Sequence, residues 1–157
     1  MSVLDALENS GLADHVRLSE WIYPTLQSGH LLAMAAVVGA GLVLDARLLG
    51  WNRLPLRPLL RFTQPVLLAG AGISVCTGFI MFAADATDLA RHPAFQAKMV
   101  LLGLLLGNAL GFHFGARRNL AAWADAPSPP PAAKLAGGLA LVGWAGVITS
   151  ARLIAFL

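Results

Sequence analysis

The chain has 157 residues, 57% of them apolar and 12% charged, with a formal net charge of +3. Little is left over for a separate water-soluble domain. The high pI of about 9.8 does not point to nucleic acid, because the basic residues form no patch interleaved with aromatics. One cysteine, Cys76, allows neither an intrachain disulfide nor a Cys-x-x-Cys metal site, and reads as a small buried apolar side chain.

Residues 1–20 contain Asp5, Glu8, Asp14 and Glu20 and no apolar core of a signal peptide. The stretch Val3–Leu18 is mildly amphipathic, which predicts a helix lying along the membrane surface. Four runs free of Asp, Glu, Lys and Arg follow, from Trp21 to Leu44, Phe62 to Ala84, Met99 to Ala116 and Leu135 to Ala151. Each suits a helix crossing a hydrocarbon layer about 30 Å thick at about 1.5 Å per residue. The expected fold is an all-α, four-helix transmembrane bundle with spans at about 21–49, 62–85, 93–116 and 132–156, behind an N-terminal segment over 1–20.

Pro24 and Pro93 suit first helical turns, where a missing N–H costs nothing. The run Ala126–Pro131 reads as a stiff extended linker. Charge sets the orientation. Arg47, Arg53, Arg57 and Arg61 follow the first span, and Arg117, Arg118 and Lys134 follow the third. The opposite side carries Asp5, Glu8, Asp14, Glu20, Asp85 and Asp88. The positive-inside rule then puts both termini in the periplasm of a bacterial inner membrane. Gly103, Gly107 and Gly111 form overlapping G-x-x-x-G steps, read as close packing within the bundle.

Ionisable groups at membrane depth are costly and mark function. Counted from the basic residue that bounds each span, His30, Lys98 and Arg152 all lie about 25–28 Å from the inner boundary. Three helices thus bring them to one layer, where an anion or an acidic cofactor group would relieve the repulsion between Lys98 and Arg152. For Lys98 and Arg152 the plainer reading is snorkelling to water; for His30 it is a hydrogen-bonded interior histidine. His113 sits nearly 20 Å from His30 in depth, so one iron cannot bind both. With only His15 and His92 besides, the chain is not a two-haem, four-histidine cytochrome. His113, Asp45 and Asn108 read as polar packing at the inner side.

Two spans resemble a known group. The first, HLLAMAAVVGAGLVLDARLLG with His30 near its outer end, resembles the first span of CopD-like and HemJ-like bacterial membrane proteins. The third, Lys98-Met99-Val100-Leu101-Leu102 with His113 farther on, resembles the HemJ pattern of a lysine opening a Leu/Val-rich span. That resemblance implies haem b, with the first-span histidine and third-span lysine important, and protoporphyrinogen oxidation as the activity. The chain lacks the Trp-containing first span of HemJ. The segments Trp21–Pro24, Leu44–Gly50 and Phe82–Ala86 resemble an uncharacterised family of bacterial four-span proteins.

The leading expectation is a b-type haem- or porphyrin-binding membrane protein in electron transfer. His30 would ligate the metal, Met34 or His92 would be a second ligand, and Lys98 and Arg152 would meet propionates. An accessory subunit packing in a larger membrane complex is the alternative, since no complete catalytic constellation is found. A copper-handling or transport protein using Met34, Met81, Met99 and His30 is the third reading.

Overall fold

The computed structural model describes residues 2–51, 53–126 and 128–156. Among them the chain is all-helical: α1 (Val3–Glu8), α2 (Gly11–Leu18), α3 (Ile22–Leu49), α4 (Leu56–Ala83), α5 (Ala86–Arg91), α6 (Pro93–Phe114), a 3-10 turn (Ala116–Asn119), α7 (Leu120–Trp123) and α8 (Pro131–Leu153). Four helices are long and apolar enough to cross a membrane: α3, α4, α8, and α6 continued to Trp123.

Local chemistry sets the ends. Gly50, at φ 83°, stops α3 in a left-handed turn, with Gly50 N–H donating to Arg47 O and Trp51 N–H to Ala46 O. This is the paired closure that only a residue without a Cβ adopts cheaply. Pro93 and Pro131 occupy first helical positions, where proline's fixed φ helps. Pro131 therefore belongs to α8, and the extended linker ends at Pro130. The α4 helix begins at Leu56, ahead of the charge-free run, and carries Pro65 inside it.

In packing, α3 lies against both α4 and α8, and α8 against α6. The spans are thus ordered α4, α3, α8, α6, and α4 shares no comparable surface with α6. Two ties join that flank. At the end bearing the acidic residues, Phe82 and Phe95 stack with ring centroids 5.3 Å apart. At the basic end, Arg117 Nη2 donates to Gln64 Oε1 at 2.7 Å.

Where no hydrophobic effect drives helices together, close approach at small residues does. A Cβ on Gly70 would stand 2.6 Å from Val37 Cγ2 and 3.1 Å from the Ala33 carbonyl; one on Gly143 would stand 2.6 Å from Leu105 Cδ2. The stripe Gly103, Gly107 and Gly111 behaves differently, with nothing within 4 Å of an added Cβ. The expected packing role passes to glycines of α4 and α8, and the α6 stripe faces outward. Cys76 is exposed on α4 rather than buried.

The N-terminal helices dock on protein, α1 against α5 and α2 against α4, with Ala13 and Val16 buried. Glu8 Oε2 accepts from the Thr87 N–H at 2.8 Å. Arg17 Nη2 donates to the Glu8 carbonyl at 2.6 Å and to Asp14 Oδ1 at 2.7 Å. The amphipathic face of this segment is thus spent on closing the acidic end of the bundle.

Candidate functional site around His30

His30 lies on the face of α3 that meets α4. Its Nδ1 is 2.9 Å from Thr77 Oγ1, and that hydroxyl is 2.7 Å from the Ile73 carbonyl one turn back. A threonine hydroxyl has one hydrogen. Donated to Ile73, it leaves Thr77 Oγ1 as an acceptor, so His30 donates from Nδ1–H and keeps its Nε2 lone pair. Metal-binding imidazoles are held in this way, with the second nitrogen fixed by a hydrogen bond that sets tautomer and ring plane.

Gly78, the next residue on α4, makes room for the ring: a Cβ there would stand 3.2 Å from His30 Cε1. Ser74, one turn from Thr77 on the same helix, is buried at 8% exposure. Its Oγ has no hydrogen-bond partner among the described residues. An orphaned buried hydroxyl costs about 1–3 kcal/mol. Ser74, Thr77, Gly78 and His30 therefore make a polar seat in an otherwise apolar interface.

The other expected site residues separate into two groups. Lys98 is half-buried near the start of α6. Met34 is half-buried one turn along α3 from His30. Arg152 belongs to the exposed side of α8, its guanidinium 4.7 Å from the centre of the Phe156 ring. That cation–π contact is with its own helix end. His92 caps α6, its Nδ1 accepting from the Ala94 N–H at 3.3 Å. The structure thus gives Arg152 a local partner and His92 a capping duty.

At the other end of the bundle, Asn108 and His113 have separate partners. Asn108 Nδ2 donates to the Ala136 carbonyl at 2.8 Å, and His113 Nδ1 lies 3.1 Å from Arg117 Nη1. Asp45 is buried; its Oδ2 and Trp144 Nε1 both lie within 4.0 Å of where a Cβ on Gly41 would stand.

Among the described residues no three His, Cys, Asp or Glu side chains come together as a metal site. Nothing in the sequence singled out Thr77 or Ser74, since neither hydroxyl is ionisable. With Gly70 they recur at helical spacing, and that small-and-polar stripe was the available signal. Comparison with models of known families, with curated proteins and with solved structures finds no match.

Proposed function

We propose that this chain is an integral membrane b-type haem- or porphyrin-binding protein acting in electron transfer or tetrapyrrole oxidation, with His30 as the iron ligand. The observation that carries the reading is the Thr77 contact, which commits the imidazole proton to Nδ1 and leaves the lone pair on Nε2. Haem, when bound, supplies one-electron chemistry; the chain's own residues orient and bind it. Thr77 fixes the imidazole, Gly78 seats it, and Lys98 balances a propionate carboxylate. Met34 and His92 are the candidates for a second ligand, His92 at the cost of its cap on α6. The resemblance of the first and third spans to HemJ-like proteins supports the same reading. So does the charge asymmetry, which fits a bacterial inner membrane with both termini periplasmic. The test is the visible spectrum of protein purified in detergent from haem-replete cells. A Soret band is expected, and its absence contradicts the proposal.

One observation favours a second reading, an accessory subunit of a larger membrane complex. The outward α6 stripe of Gly103, Gly107 and Gly111, beside exposed Leu104 and Leu106, is a surface on which a partner helix could approach closely. Co-purification of a partner in mild detergent supports it; a monodisperse single chain argues against it.

A further inference from the structure

The basic end of the bundle carries a feature that His30 does not explain. Arg47, in the last turn of α3, is only 8% exposed. Its Nε donates to the Leu54 carbonyl at 2.7 Å, and Nη2 reaches the Ala124 carbonyl at 3.5 Å. A guanidinium has five N–H donors, so these two contacts leave most of its capacity unspent. Among the described residues the ion pairs are those of Arg17 with Glu8 and Asp14, and none reaches Arg47. Asp45, the nearest carboxylate along the chain, has its Oδ2 about 4.0 Å from where a Cβ on Gly41 would stand and makes no ion pair with Arg47. A buried cation held by carbonyl oxygens alone is costly unless an anion joins it.

Beside it opens a pocket of about 420 Å³ between the α3–α4 and α7–α8 connections, bordered by Arg47, Gly50, Arg53, Leu54, Ala124 and Asp125. Two arginines face one exposed aspartate, so the lining is cationic. With 28 residues, α3 is roughly 42 Å long, about 12 Å more than the hydrocarbon it crosses. Its terminal turn therefore reaches the layer where lipid phosphates lie.

We propose that this pocket binds a phosphate group, gripped by the Arg47 guanidinium fork and by Arg53. The planar fork matches two phosphate oxygens at once. An anionic phospholipid headgroup and a free phosphorylated solute share that chemistry.

The experiment follows thermal unfolding of the full chain in detergent with added phosphatidylglycerol, glycerol phosphate or phosphatidylcholine. Saturating ligand should raise Tm by roughly 5 °C or more. A rise with phosphatidylglycerol alone identifies a lipid headgroup, and a rise with glycerol phosphate as well identifies a phosphorylated solute; both support the pocket. Arg53→Gln, at an exposed position, should weaken the effect at least fivefold in ligand concentration. Arg47→Lys should weaken it further by losing the fork. If Arg47→Lys does not fold, Arg53→Gln alone decides. No rise with either phosphate, an equal rise with phosphatidylcholine, or an unchanged response in Arg53→Gln overturns the proposal.

Discussion

His30 Nδ1 and Thr77 Oγ1 meet at 2.9 Å across the α3–α4 interface, from positions 47 residues apart. The contact ties a histidine of that interface to a hydroxyl whose own hydrogen is already committed to Ile73. Thr77→Val keeps the shape and removes the acceptor. Loss of such an outer-shell partner typically weakens metal binding about 10–100-fold. Haem affinity should fall by that order while the helix content stays the same. Gly78→Ala should act similarly, because its Cβ would crowd the ring at 3.2 Å. Haem titration of both variants against wild type checks the pair, and unchanged affinity in Thr77→Val would show that the contact positions nothing.

The glycines divide into packed and open. Gly70→Leu drives a side chain into Val37, a stiff β-branched residue, and toward the Ala33 backbone. The cost should be about 1–3 kcal/mol or more, read as a lower unfolding midpoint in detergent. Gly107→Ala meets nothing and should be neutral, or stabilising by up to about 1 kcal/mol through helix propensity. Equal losses from the two changes would contradict the packing described.

These glycines show what was legible in the sequence. Charge-free runs and their lengths marked the four helices that are long and apolar enough to cross a membrane, because hydrocarbon tolerates little else. Which face of each helix turns inward was not legible: Gly103 on α6 and Gly143 on α8 both sit in apolar runs and differ only in their neighbours. Depth counting brought His30 and Lys98 into one layer, but depth carries no azimuth, and Arg152 turned out to lie on the exposed side of α8.

The docked N-terminal helices should respond to pH through two carboxylates of opposite sign. The Thr87 hydrogen bond, aided by Arg17, holds Glu8 below its ordinary range. Its contribution is present above the unfolded value of about 4.3 and is lost as pH falls through the lower folded value. Asp85 is shifted up, first by partial desolvation of its carboxyl and then by Asp88 and Glu8. Its contribution is present below the unfolded value of about 3.9 and is lost as pH rises through the higher folded value. At pH 7, Glu8→Gln should speed hydrogen exchange in α1 and Asp85→Asn should slow it. Both differences from wild type should shrink below about pH 4. Exchange insensitive to both variants would mean that the segment is not held by these contacts.

The charge asymmetry of the loops predicts that a reporter fused after the last residue behaves as periplasmic, whereas one inserted near Arg53 behaves as cytoplasmic. The opposite pattern would invert the orientation and place His30 near the cytoplasmic side.

The most direct measurement is haem stoichiometry in His30→Gly, with and without added imidazole. Wild type should hold about one haem per chain, as one accessible imidazole implies. His30→Gly should lose it, and free imidazole, able to occupy the vacated space beside Gly78, should restore a Soret band. Haem retained by His30→Gly without imidazole, or no haem bound by wild type at all, would contradict the account.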